Sequence, residues 1–235
     1  MYFSGTNQNM NLKTLKLIIA NKQNNSEFAI ITNLSTGEVD LLEKNIELNK
    51  KFEKYFQKIQ YFFEKKQNGI IDDSDLFIET FKQPIKVIIV GAVHIAQYLV
   101  DYIKNFNFKI YIIDPRGYFA SKKRFSNIDV INKWPDEAFS KIKTDEATAL
   151  ITLTHDPKID DPAIKHALNN NFYYIGALGS NKTHSDRCNR LREAGYNDKQ
   201  ISLIHGPIGI KLGGKSAPEI ALSIISQLVL ITNNR

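Results

Sequence analysis

Cysteine is almost missing from this chain: Cys188 is the only one in 235 residues, so no internal disulfide can staple the fold. No apolar run approaches the roughly 20 residues that a bilayer-spanning helix needs, and this excludes a membrane reading. A secretory signal is also lacking, because Leu12 to Ala20 is short and interrupted by Lys13 and Lys16. These absences together imply a cytoplasmic protein. Charge of one sign is scarce too, with 31 Lys and Arg set against 25 Asp and Glu for a net +6. Basic residues alternate with acidic ones and form no stripe, and no nucleic-acid-binding module is present, so no nucleic-acid partner is expected. Neither Cys-x-x-Cys nor His-Glu-x-x-His occurs, which leaves no standard zinc site and no metal assignment.

What is present suits a folded, soluble protein: 43% apolar and 24% charged residues are close to globular averages. Three segments are expected. Residues 1–9, polar and rich in Asn, form a flexible start. Residues 10–80 form a small α+β element. In it, Phe28 to Thr32 and Glu38 to Leu42 flank Ser35-Thr36-Gly37 as a hairpin. Leu48, Phe52, Tyr55, Phe56, Ile59, Phe62 and Phe63 then mark one face of a long helix stopped by Gly69. An aromatic stripe of this kind reads as core rather than as a cofactor box.

Residues 81–235 alternate strand and helix. Ile85 to Val90 is a nearly unbroken apolar run, the mark of a buried parallel strand. Gly91 follows, then a helix with Ile95, Leu99, Tyr102, Ile103 and Phe106 on one face, then a strand from Lys109 to Ile113. This is a βαβ unit. Further strands are expected at Ile128 to Ile131, Ala147 to Leu153 and Phe172 to Ile175. Helices are expected after Pro135, after an Asp161-Pro162 cap, from Thr183 to Ala194 with Gly195 as the stop, and after a capping box at Ser216 to Glu219. The fold class is therefore α/β: a Rossmann-like, mostly parallel sheet with helices on both faces, plus the small N-terminal element.

In an open parallel sheet ligands bind beyond the carboxyl ends of the strands. Four segments fall there: Gly91 to Ala96, Asp114-Pro-Arg116, Thr154-His-Asp-Pro157 and Gly176 to Ser180. A helix start after Gly91 attracts phosphate, and Asp114 stands where a ribose diol would be bound. Val93 departs from the dinucleotide fingerprint, because its branched side chain sits where glycine lets the backbone approach a pyrophosphate. A Rossmann scaffold without dinucleotide fits the residues equally well. Gly176, Gly179 and Ser180 with Lys182 make a second candidate anion turn. His94 and His155 should approach each other at this edge, His166 reads as a surface residue, and Cys188 as a small hydrophobe within its helix.

These blocks, in order, resemble a known family. Leu76-Phe-Ile-Glu-Thr80, Gly91-Ala-Val-His-Ile-Ala96, Ile113-Asp-Pro-Arg116, Phe119-Ala120, Arg124-Phe125, Leu153-Thr-His-Asp-Pro157, Tyr174-Ile-Gly-Ala-Leu-Gly-Ser180, Thr183-His184, Leu191-Arg-Glu-Ala-Gly195 and His205-Gly-Pro-Ile-Gly209 look like the signature blocks of the XdhC/CoxI Rossmann domain. The resemblance covers about residues 75–232. It implies a non-catalytic accessory factor, often dimeric, that binds molybdenum cofactor and delivers it to a molybdenum hydroxylase of the xanthine dehydrogenase type. The implied ligand surface comprises Gly91, His94, Asp114, His155, Asp156, Gly176, Gly179 and Ser180. Longer members carry a Gly-Gly-Cys-containing N-terminal domain, whereas no cysteine here precedes Cys188; a separate partner would supply that domain. The rival reading is an NAD(P)-dependent oxidoreductase or nucleotide-binding module, which lacks a Tyr-x-x-x-Lys or comparable catalytic pair. A scaffold mediating protein contacts is a third.

Overall fold

A computed structural model describes residues 12–23, 26–43, 50–65, 67–81, 84–121 and 123–234. The expected flexible start at 1–9, and Leu48 of the aromatic stripe, lie outside them. The chain divides into two compact units, 1–84 and 85–235.

The first unit contains α1 (Leu12–Gln23), β1 (Phe28–Asn33), β2 (Val39–Glu43), a 3-10 turn (Lys50–Tyr55), α2 (Phe56–Lys65), β3 (Gly69–Ile70) and β4 (Leu76–Phe81). The hairpin pairs antiparallel with Ile30 opposite Leu41, around the Ser35-Thr36-Gly37 turn. Two features depart from the sequence reading. The aromatic stripe is a 3-10 turn followed by a helix instead of one continuous helix, and Gly69 opens β3. A second antiparallel pair then completes a four-stranded sheet in the order β2-β1-β4-β3. Phe52 and Ile59, each 2% exposed, pack on Ile31 and Ile78 of this sheet. Tyr55, Phe62 and Phe63 pack against the same core, whereas Phe56 is exposed; the buried part of the stripe is driven inward by apolar burial.

The second unit runs β5 (Ile85–Val90), α3 (His94–Ile103), β6 (Phe108–Ile113), β7 (Asp129–Ile131), α4 (Pro135–Phe139), β8 (Thr148–Thr152), α5 (Pro157–Asn169), β9 (Tyr174–Ala177), α6 (Asn181–Glu193), α7 (Asp198–Ile201), β10 (Ile204–His205) and α8 (Ala217–Asn233). Its six strands lie in the order β10-β9-β8-β5-β6-β7, and every pairing is parallel. Counted along the chain within this sheet, the order is six-five-four-one-two-three, the doubly wound arrangement that reverses between β5 and β8.

Strand β5 explains the two-sided packing. Its side chains alternate across the sheet: Val87 and Ile89 join the core under α3 and α8, while Ile88 and Val90 join the core under α4 and α5. All four are fully buried, each contributing about 1.5–3 kcal/mol of transfer free energy. Lys86, the one charge in the run, pairs with Asp145 at the opposite end from the ligand edge.

Helix α5 corrects an expectation. It begins at Pro157, capped by Asp156, whose side chain accepts from the Lys158 N–H, and Pro162 lies inside it. Starting the helix earlier turns Asp160 and Asp161 inward, where Thr154 and Arg190 bind them; these bonds offset the amide donor that Pro162 removes. His166 is likewise half-buried instead of standing free at the surface: its ring stacks on Phe139 at 3.9 Å, and burial lowers its pKa.

Leu99 on α3 is fully buried against β5 and α8. Replacing it with Ala should cost the 85–235 unit about 3 kcal/mol and roughly 10 °C in Tm, measured by urea and thermal unfolding. A loss below about 1 kcal/mol would contradict this packing.

Candidate functional site

Because all six strands are parallel, the loops after β5, β6, β8 and β9 open on one edge of the sheet. The β5 and β8 loops meet where the strand order reverses. Gly91 adopts φ +110°, and a Cβ there would come 2.7 Å from Thr154 Cγ2, so glycine is required both by the backbone and by the closeness of the β8 loop.

The first half of the edge is organised by Asp114, which has no exposure to water. Its Oδ2 accepts from Ala92 N at 2.8 Å and Arg116 Nη2 at 2.8 Å; its Oδ1 accepts from Arg116 N and Arg116 Nε, both at 2.9 Å. Burial alone would raise the carboxyl's pKa, yet the hydrogen bonds from Arg116 and Ala92 hold it below the ordinary value. A carboxylate has about four acceptor positions, and all of Asp114's are taken. Arg124 continues the network, donating to Ala92 O at 2.7 Å and to Gln97 Oε1 at 2.8 Å. Val93 precedes α3 without capping it and leans against the α3/α8 core. His94 is exposed, its ring edge-on to Tyr98 at 5.0 Å.

In the second half, His155 takes φ 61°, a left-handed turn that brings its N–H to Asp160 Oδ2 at 3.1 Å, while Thr154 Oγ1 donates to Asp160 Oδ1 at 2.6 Å. Across from it, Gly179 at φ +147° lets the chain pass Thr183, which a Cβ would meet at 2.9 Å. Ser180 then caps α6 by accepting from Thr183 N at 3.1 Å. Lys182 points to solvent. Gly176 serves packing, since a side chain there would collide with Ile208.

Between these loops lies a cleft of about 180 Å³ lined by His155, Asp160, Asp161, Thr183, Arg187 and Arg190, among others. Asp161 is bound by Arg190 through two bonds of 2.6 and 3.0 Å. Arg187 is different: 2% exposed, it donates Nη2 to Leu178 O at 3.0 Å, while Nε and Nη1 have no partner. Leaving buried charged donors unsatisfied costs more than about 1–3 kcal/mol. Burial lowers the Arg187 pKa, and the charges of Asp160 and Asp161 oppose that shift.

Arg116 joins the two halves electrostatically. Its hydrogen bond with Asp114 raises its pKa, and the charges of Asp156 and Asp160 add to that. No hydrogen bond or ring contact joins His94 to His155. His205 stacks on Tyr174 at 5.1 Å, and Cys188 Sγ lies 3.6 Å from His184 Nε2 within α6. Among the described residues no cluster of His, Cys, Asp and Glu could hold a metal, and no helix is long and apolar enough to cross a membrane.

Sequence reasoning missed Asp160 and Arg187. A signal existed for the latter, because positions 184, 187, 188 and 191 form the inward stripe of α6 and an arginine there is out of place. A second unnoticed string, Gly209-Ile-Lys-Leu-Gly-Gly-Lys-Ser216, has the spacing of a phosphate-binding loop. There the Glu219 carboxylate already accepts from the Ser216 N–H and hydroxyl, so the start of α8 is filled by the chain's own anion.

Residues 87–228, more than half of the chain, match the sequence profile described as the XdhC Rossmann domain. The chain belongs to the XdhC family. Among relatives of this XdhC chain, the Escherichia coli (strain K12) "Molybdenum cofactor insertion chaperone PaoD" is 32% identical over 102 residues, covering 43% of this chain and 31% of that protein. A probable xanthine dehydrogenase subunit of Bacillus subtilis (strain 168) is 24% identical over 157 residues, 66% of this chain and 46% of that protein. A crystal structure of a xanthine dehydrogenase from Bacillus halodurans superposes with TM-score 0.73 at 20% identity, over 96% of this chain and 66% of that one; it shows the shared fold. The XdhC chain thus spans less than half the length of the two sequence relatives.

Burial pushes the Asp160 carboxyl up to about 6 from an ordinary 3.8. The folded chain then holds this proton more tightly than the unfolded chain, so the stability Asp160 confers falls between about pH 4 and pH 6 and is level above. The stability difference between wild type and Asp160→Asn in urea titrations should fall by about 2–3 kcal/mol across that window. A flat or rising difference would show that Asp160 ionises at least as freely folded as unfolded.

Proposed function

We propose that this chain is a non-catalytic accessory factor that binds molybdenum cofactor in the sheet-edge crevice and helps deliver it to a molybdenum hydroxylase of the xanthine dehydrogenase type. The observation that carries this reading is the convergence of the β5, β6, β8 and β9 loops on one edge, within the XdhC-matching segment. The name of the Escherichia coli relative, a molybdenum cofactor insertion chaperone, supports the choice of ligand.

The residues present fit an anionic, phosphate-bearing group. Arg187 has two unpartnered buried donors, and Thr183 and His155 line the same cleft. Gly91, Val93 and His94 on one side, with Asp156, Gly176, Gly179, Ser180 and Lys182 on the other, would border the ligand, while Asp114 and Arg116 fix the β5 and β6 turns of the first half. When bound, the cofactor supplies the molybdenum centre for the client's chemistry; this chain's groups hold and orient it. We further infer a cytoplasmic homodimer that works with a separate protein supplying the Gly-Gly-Cys domain.

A second reading, an NAD(P)-binding module, is favoured by the doubly wound strand order. Against it stands Asp114, whose acceptor positions are filled and which water does not reach; a ribose diol would have to displace Arg116.

Full-length protein co-expressed with cofactor biosynthesis and a molybdenum hydroxylase should retain a pterin detectable by fluorescence after oxidation, and should raise client activity. Retention of no pterin together with unchanged client activity overturns the proposal. Calorimetric titration with NAD and NADP should give no binding heat; saturable heat would favour the second reading.

A further inference from the structure

The cleft between the tips of β8 and β9 contains opposite charges that the chain itself leaves unjoined. Arg187 is 2% exposed with Nε and Nη1 unpartnered. Asp160 is 1% exposed, and its two oxygens accept from Thr154 Oγ1 and His155 N, which leaves an acceptor position on each. The two side chains feel each other's charge, yet no hydrogen bond or close ion pair connects them. The neighbouring Asp161 is already held by Arg190 in a two-bond fork, and Asp186 stands exposed at the rim. An occupant must therefore accept from a guanidinium and donate to a carboxylate at once.

Few chemical groups do both. A sulfate or a phosphodiester carries no proton near neutrality; either would satisfy Arg187 and be repelled by Asp160. A metal cation would do the reverse. A phosphate monoester, whose second ionisation lies near pH 6, offers acceptor oxygens and a P–OH donor together. Size agrees. The cleft's volume of about 180 Å³ corresponds to roughly six waters, well below the roughly 300–1,000 Å³ of pockets that enclose whole ligands. It has room for one end of a molecule.

The geometry points to this cleft as the seat of the phosphomonoester end of the ligand, with Arg187 as its donor and Asp160 reading its proton. The inference rests on the crevice reading above and adds both the end that is gripped and its chemical form: a pterin or nucleoside monophosphate is admitted, and a ligand whose phosphates are all diesters is not.

The test uses the full chain at pH 7, titrated calorimetrically and by thermal unfolding with inorganic phosphate, with sodium sulfate and with sodium chloride at equal ionic strength. Sulfate controls for non-specific stabilisation by excluded salts. Phosphate should bind saturably and raise Tm, with sulfate about tenfold weaker or more. Arg187→Met should abolish the phosphate response. Asp160→Asn, which replaces a charged acceptor with a side chain that can donate, should admit sulfate. Equal responses to phosphate and sulfate in wild type, no saturable response to phosphate, or an Arg187→Met protein that still responds would each overturn the inference. Should Arg187→Met fail to fold, the wild-type selectivity and its relaxation in Asp160→Asn decide it. Protein that binds phosphate but retains no molybdenum cofactor removes the proposed function and leaves this seat. Protein that retains the cofactor but ignores phosphate removes the seat alone.

Discussion

The carboxylate of Asp114, sealed from water at the tip of the sheet, joins the β5 turn to the β6 turn. Taking a charge out of water is expensive unless every acceptor position finds a donor, and here Ala92 and Arg116 supply all four. The consequences spread outward. With Ala92 held, the chain passes through Gly91 in a left-handed conformation and enters α3. With Arg116 held, its guanidinium stacks over Phe119 at 4.8 Å and faces the fields of Asp156 and Asp160 in the other half of the edge. A residue placed where a ribose would be recognised thus serves as the lock of the scaffold.

The other half of the edge is less completely satisfied. Its carboxylates Asp156 and Asp161 are consumed by a helix cap and an ion pair, and Ser180 is consumed by the start of α6. Arg187 keeps two buried guanidinium donors without acceptors. One side of the crevice therefore uses its polar groups on itself, while the other keeps buried donors without partners.

The second unit was legible in the sequence because its physics is local. Apolar runs bounded by turn residues mark parallel strands, and Ile85 to Val90 reads as buried on both faces since it is. The shortest strands were harder to see: β3 and β10 have two residues each, too few for any periodicity. The start of α5 was misplaced because two Asp-Pro pairs compete, and the inward turn of Asp160 and Asp161 is fixed partly by Thr154 just ahead of the helix and partly by Arg190, far along the chain. Of the site, the loops were readable from the rule that ligands bind at strand ends. Their division of labour was not, because the Ala92 bond that completes Asp114 and the burial of Arg187 depend on tertiary contacts that no spacing encodes.

The central claim, that the Asp114 carboxylate locks the crevice, is tested most directly by amide hydrogen exchange at Ala92 in wild type and Asp114→Ala. Wild type should exchange Ala92 slowly, and loss of the charge-assisted bond should accelerate it by at least about tenfold, while amides in α1 and β1 of the other unit keep their rates. Equal protection of Ala92 in both proteins would contradict the account.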